Sequence, residues 1–198
     1  MVERLVVKNH ISPAIPPAKL NDQFGFKPTG STTAALVDIT NSISIMLESN
    51  KYVRCLLIDF SKAFDSVDHL IIINMLKAFN IADNIIRWVA SFLTDRNQFV
   101  KIGEEWSFTR AINRSIVQGS GIGPTLFTIC IIDLQPLGAT NHICKYADDL
   151  SLLVPKKCDI DKSEELEHVL KWADENKLKI NLAKTKELVF HRPNVRNY

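Results

Sequence analysis

The segment ICKYADDLSLLV, residues 143 to 154, constrains the fold more than any other stretch, because it sets two carboxylates, Asp148 and Asp149, between apolar runs that both belong in a core. Runs this short, flanking residues that favour turns, read as two short strands around a tight hairpin. Aspartates in a hairpin are commonly solvated turn residues. Here Tyr146 and Ala147 precede the pair and Leu150, Leu152, Leu153 and Val154 follow it, so the turn must keep both carboxylates near the sheet. Two like charges there repel and are poorly hydrated, and a divalent cation is the usual remedy. Mg²⁺ suits such a place, since it takes one or two carboxylates together with substrate phosphate oxygens.

A third carboxylate has a related position. VRCLLIDF, residues 53 to 60, is a near-continuous β-prone run of the kind that forms a strand buried on both faces or nearly so, and Asp59 lies at its C-terminal end. There it can complete an acidic site or serve as a helix N-cap after the strand. Further on, KELVFH reads as a last strand, and QFVKIGEEWSFTRAIN as a hairpin turning at Gly103.

Helical spacing marks the rest of the order. Leu36, Ile39, Ile43, Met46 and Leu47 share a face of a helix that Ser31 or Thr32 can cap, after a Pro- and Gly-rich stretch from 12 to 32 that is mostly looped. Two helices are expected over 68 to 80 and 84 to 95, the second with Ile85, Trp88, Val89, Phe92 and Leu93 on one face. GPTLFTICIIDL, residues 123 to 134, reads as a buried helix with Pro124 in its first turn and Leu126, Phe127, Cys130, Ile131 and Leu134 at helical spacing. SEELEHVLKWADENK, residues 163 to 177, is a helix with Ser163 as N-cap. Together these predict an α+β fold, an antiparallel sheet with helices packed on one face.

Composition narrows the function classes. The 198 residues are 46% hydrophobic, enough for the core of one domain or slightly more. The net charge of +2 is too small for the whole surface to attract a polyanion, so any nucleic-acid role must rest on local patches. Cys55, Cys130, Cys144 and Cys158 lack metal-ligand spacing and read as reduced core thiols. No run approaches the roughly 18 apolar residues of a membrane span, and MVERLVVKNH has no long apolar leader region. The expectation is an intracellular chain with no membrane partner, nucleus or cytoplasm left open. Both ends are abrupt, as in a fragment.

In this order, LLIDFSKAFDSVDH, VQGSGIGPTLF, YADDL and INLAKTKELVF resemble the successive polymerase motifs of reverse transcriptases from non-LTR (LINE-type) retrotransposons. DQFGFKPTGSTTAAL, ahead of them, resembles the fingers motif that precedes the palm in that family. The resemblance runs from about residue 12 to residue 190 and implies a right-hand polymerase palm with partial fingers and the thumb absent. It divides the chain into partial fingers (1 to 52), palm (53 to 70), a fingers-like insertion (71 to 117), palm again (118 to 191), and the start of a connection to a missing thumb (192 to 198).

The implied activity is RNA-directed DNA polymerisation, the transfer of a deoxynucleotide to a primer 3′-hydroxyl with two Mg²⁺ ions, for which Mn²⁺ can substitute. RNA template, DNA primer, deoxynucleoside triphosphates and the rest of a retrotransposon polyprotein are the implied partners. A truncated relic that folds and at most binds nucleic acid is the alternative. By the same resemblance Asp59 and Asp148 are metal ligands and Asp149 an accompanying carboxylate. Phe64 is the aromatic that excludes a ribose 2′-hydroxyl, with plain core packing as its alternative. Gln118 and Gly119 contact template and nucleotide, in a loop where Val117 replaces the family's usual proline. Lys184 corresponds to a lysine that neutralises or protonates departing pyrophosphate, and equally reads as an exposed loop lysine. Gln23 and Lys27 are implied to contact template, without a clear single role. Asp65 and Asp68 read as turn and N-cap residues, and Arg87, Arg96, Lys101 and Arg110 as a solvated face.

Overall fold

The structure, a computed structural model, describes residues 1–192, so the stretch 193–198 expected to begin a thumb connection lies outside the described residues. The chain opens with α1 (Val2–Val6) and short helical turns, then α2 (Thr32–Ser49) and β1 (Tyr52–Asp59). Next come α3 (Ala63–Ser66), α4 (His69–Ala78), α5 (Asp83–Leu93), and four short strands, β2 (Arg96–Gln98), β3 (Lys101–Ile102), β4 (Glu105–Trp106) and β5 (Arg110–Ile112). The order closes with α6 (Gly123–Cys130), β6 (His142–Tyr146), β7 (Asp149–Pro155), α7 (Lys162–Glu175) and β8 (Lys186–His191). Two compact units result, one from Met1–Pro16 with Lys62–Ile131, the other from Pro17–Ser61 with the residues from Ile132 on.

The second unit holds the main sheet, strand order β6-β7-β1-β8, antiparallel throughout. Its register is continuous from Val53↔Pro155 to Asp59↔Asp149, so side chains alternate between faces without a bulge. Val53, Cys55 and Leu153 lie on one face and pack against Ile43 of α2, with Ile39, Met46 and Leu47 around them. The inward stripe of α2 starts at Ala35, and Leu36, placed inward by the periodicity, is 61% exposed. A small residue there lets the helix approach β6 closely, and the Cys144 thiol reaches the Ala35 carbonyl at 3.9 Å.

The opposite face carries buried Leu56, Ile58, Leu150 and Leu152. α7 lies on that side, with Lys162 Nζ 3.0 Å from Glu187 and the Trp172 ring set edge-on to Phe60 at 6.3 Å. Buried Glu165 of α7 accepts from the backbone of Leu137 and Gly138 and from Asn141, which pins the loop that enters β6. β8 is an edge strand and exposed along its length.

The cap of α7 is Asp161 rather than the expected Ser163: its Oδ1 accepts from Ser163 N at 2.7 Å and Glu164 N at 3.0 Å. An aspartate two residues upstream reaches the free amides of the first turn, and Ser163 already lies inside the helix. Those amides, that of Glu164 foremost, hold the Asp161 carboxyl below the usual range. Its stabilising contribution is therefore present above the ordinary Asp pKa and lost as pH falls through the depressed one. Asp161→Ala is expected to lower Tm at pH 7 more than Ser163→Ala does, and the gap should close in melts below the carboxylate range.

In the first unit Asp68 caps α4, accepting from Leu70 N and Ile71 N, as expected. α4 and α5 pack together, and Ile72, Leu76, Ile85, Ile86, Val89 and Leu93 of these helices are buried, whereas Trp88 and Phe92 stack on each other at 6.0 Å and are half-buried. The hairpin turns at Gly103, whose φ of 60° lies in the left-handed region. α6 is buried and begins at Gly123–Pro124 as expected, but ends at Cys130. Ile131 and Leu134 are buried in turn and irregular backbone beyond it, so apolar spacing reported burial there without reporting helix.

Candidate active site

Asp59 and Asp149 face each other directly across β1 and β7. Both share the parity of Cys55 and Leu153, so they stand on the α2 face of the sheet, beyond the part that α2 covers. The uncovered end is a groove of about 560 Å³ bordered by Leu57, Asp59, Asp149, Ser151, Lys184 and Lys186. Like charges opposite one another in a sheet are destabilising. The Asp149 carboxyl is accordingly held above the usual range, first by partial desolvation and then by Asp148 and Asp59. Asp148 sits in the turn between β6 and β7, half-buried, after Ala147, which has a φ of 56°.

The end of β1 also places Lys184. Asp59 O accepts from Asn181 N at 2.8 Å and Ser61 N donates to Lys179 O at 2.7 Å, an antiparallel bridge around Phe60 and Ile180. The turn that follows is closed by Lys184 N and Thr185 N on Asn181 O, and it sets Lys184 Nζ 3.8 Å from Asp59 Oδ2. At 69% exposure this pairing is weak, and the ammonium is free to turn toward a ligand.

The donor set fits a hard divalent cation in part. It consists of carboxylate oxygens only, with net negative charge. Among the described residues no three His, Cys, Asp or Glu side chains form a ready metal cage. A cation held here would take the two or three aspartates and complete its shell with water or substrate phosphate, which is how Mg²⁺ is commonly bound.

Phe64, Gln118 and Gly119 belong to the other unit. Phe64 is half-buried, its ring stacked on that of fully buried Phe127 at 4.4 Å and 21°, and its carbonyl accepts from Ile116 N. One face of the ring is thus packing. Ser120 N donates to Val117 O across a turn with Gly119 at its third position and a φ of 82°, a backbone that requires glycine. Gln118, at the second position, is exposed and donates to Asp65 Oδ1 at 3.0 Å. Glu3 of α1 accepts from Gly121 N and Ile122 N just beyond. No local pattern in the sequence marks Glu3 for that contact.

Two residues implied to touch template lie elsewhere. Gln23 is 2% exposed, with its side-chain oxygen on backbone amides of its own unit, and Lys27 Nζ donates to Leu20 O.

The family model for reverse transcriptase (RNA-dependent DNA polymerase) matches residues 2–196, nearly the whole chain. The chain belongs to the reverse transcriptase family. Its relatives are mobile-element proteins, in line with the non-LTR motif resemblance. It is 28% identical over 196 residues to the probable RNA-directed DNA polymerase from transposon BS of Drosophila melanogaster, covering 93% of this chain and 20% of that protein. It is 25% identical over 201 residues to the RNA-directed DNA polymerase from mobile element jockey of Drosophila funebris, covering 96% and 21%. The chain thus spans about a fifth of the length of these curated relatives. Among solved structures, telomerase from Candida tropicalis in complex with a fragment of telomeric RNA superposes with a TM-score of 0.70 at 13% identity, over 95% of this chain and 32% of that one. The fold is that of a polymerase palm, α+β with an antiparallel sheet. No helix among the described residues is long and apolar enough to cross a membrane.

Proposed function

We infer that the chain carries the palm of an RNA-directed DNA polymerase and transfers a deoxynucleotide to a primer 3′-hydroxyl on an RNA template. The observation that carries this reading is the register that sets Asp59 opposite Asp149 at the open end of the sheet, with Asp148 in the adjoining turn and Lys184 beside Asp59. Asp59, Asp148 and Asp149 would hold Mg²⁺ or Mn²⁺. When bound, such cations activate the attacking oxygen and stabilise charge on the leaving one. Lys184, exposed at the rim beside Asp59, would neutralise or protonate the departing pyrophosphate. The Val117–Ser120 turn, with open space beside Gly119 and its positive φ, offers backbone for approach of template or nucleotide.

The polyprotein context of relatives such as the Pol polyprotein of retrotransposable element R2 from Popillia japonica supports a place for this domain within a longer protein. The division into fingers, palm and insertion is retained as part of the same proposal. The test is primer extension on an RNA template with deoxynucleotides and Mg²⁺, by the chain and by the chain with its flanking coding sequence. Extension by neither would sink the reading and favour a domain that only binds nucleic acid.

Phe64 supplies a second test. One face of its ring is committed to Phe127, and the remaining exposed part is what could meet a sugar. Phe64→Val is expected to raise ribonucleotide use relative to deoxynucleotide use and to cost about 1–3 kcal/mol through the lost stacking. The readout is the ratio of incorporation efficiencies for matched nucleotide pairs, alongside a melt. An unchanged ratio in a folded variant assigns Phe64 to packing alone.

A further inference from the structure

The stretch Asp22–Gly25 forms a short parallel attachment to β6 and ends against the turn that bears the aspartate pair. Lys145 N donates to Asp22 O at 2.7 Å and Phe24 N to Lys145 O at 2.8 Å, with Gln23 bridged to Lys145. The Lys145 side chain, 1% exposed, meets Asp22 Oδ2 at 2.9 Å, and Gln135 Nε2 donates to the same oxygen at 2.7 Å. Gln23 Oε1 then accepts from Gly25 N at 2.9 Å and from Ala147 N at 3.4 Å. Both donors are backbone amides, so the oxygen must face them. Its Nε2 is buried and has no hydrogen-bond partner among the described residues, so the oxygen side carries the contacts that place this amide. Gly25 closes the contact, since a Cβ there would stand 2.3 Å from Ala147 N.

Ala147 is held at a φ of 56°, which is uncommon for a residue with a Cβ and persists only where its surroundings fix it. Asp148 follows directly. We propose that Gln23 is a positioning residue, which with the close approach of Gly25 holds Ala147 in its left-handed conformation and so fixes where Asp148 and Asp149 stand. The proposal rests on the polymerase reading for its consequence in catalysis, but the clamp itself is a property of the folded chain. It also gives the fingers-like motif DQFGF a role inside the sheet unit in place of a template contact.

Hydrogen exchange of the Ala147 amide, read by NMR, tests the clamp without activity. In the wild-type chain that amide is expected to exchange at least about 100-fold more slowly than an open turn amide. Gln23→Met should speed it about tenfold. The same variant should lower kcat for primer extension about tenfold, with KM for template and nucleotide unchanged and Tm down by only a few degrees. Gln23→Glu, which keeps an acceptor oxygen on the same stem, should restore protection and most of kcat. Gly25→Ala, with Gln23 intact, should reproduce the Met phenotype by pushing the turn away.

A template-contacting Gln23 would raise KM for template and leave Ala147 exchange alone, which overturns the proposal. Should Gln23→Met fail to fold, Gly25→Ala decides, and unprotected Ala147 in the wild type overturns the clamp with no variant at all. No extension by the wild-type chain would count against the polymerase reading, while the exchange rates would still decide the clamp.

Discussion

Asp59→Asn is expected to cut Mg²⁺-dependent primer extension by about 1000-fold or more, the loss of several kcal/mol of charge stabilisation, while leaving the fold in place. Among the described residues the side chain makes one long contact, 3.8 Å to an exposed lysine, so its stability role is small. What it does impose is repulsion on Asp149 across the strand pair. A carboxyl whose folded pKa is raised penalises the native state once pH exceeds that pKa, because the unfolded chain ionises at less cost. In metal-free buffer at pH 7 the Tm of Asp59→Asn should therefore equal or exceed that of wild type. The advantage should vanish as pH falls below the ordinary carboxylate range, where Asp149 is protonated in either state. Retained extension in this variant and in Asp148→Asn would remove the aspartates from the chemistry. A large fall in Tm would mean that Asp59 is chiefly structural.

Asp22→Ala should produce a large loss of stability in the sheet unit. Lys145 is almost fully buried at 1% exposure, and Asp22 is the first of the carboxylates that support its charge. Burial already lowers the Lys145 pKa, and without Asp22 it falls further. Leaving the ammonium without this partner is expected to cost about 3–5 kcal/mol, or roughly 10 °C in Tm for a chain of this size. A lysine with a depressed folded pKa destabilises the native state most at pH values below that pKa, where it must be charged. The penalty fades as pH rises toward the unfolded value. Melts at pH 7 and near pH 10 should show the Asp22→Ala deficit narrowing with alkalinity, and Asp22→Ala combined with Lys145→Met should recover most of it. A deficit that is small, or the same at both pH values, would show that the backbone bridges to β6 suffice without the ion pair.

The sequence reaches furthest where local chemistry and apolar period agree. VRCLLIDF and the two runs around Asp148 and Asp149 are strands, because β-prone residues in short apolar runs have few other ways to be buried. The helices α2, α4, α5, α6 and α7 lie within a few residues of their expected positions for the same kind of reason, whereas the single turn of α3 is not marked by any apolar period. Where several residue types could serve one purpose, the local pattern could not choose between them. The sequence pattern points to Ser163 as the cap of α7 and to Leu36 as the start of the inward stripe of α2, where Asp161 and Ala35 serve instead. Geometry of the first turn settled the cap, and the distance to β6 settled the stripe.

By itself the sequence determined the main strands and the longer helices, the family through its ordered motifs, and the presence of acids at two strand ends. Only the tertiary structure decided which acids meet. Register between β1 and β7 depends on hydrogen bonds between segments some ninety residues apart, and it set Asp149 opposite Asp59 with Asp148 in the turn. The surroundings of Gln23 were equally out of reach of the sequence. A glutamine carries no mark of whether its amide will face solvent or the backbone of a distant turn. That depends on which strand its segment joins, and Asp22–Gly25 joins β6 through contacts that exist only once the sheet has formed.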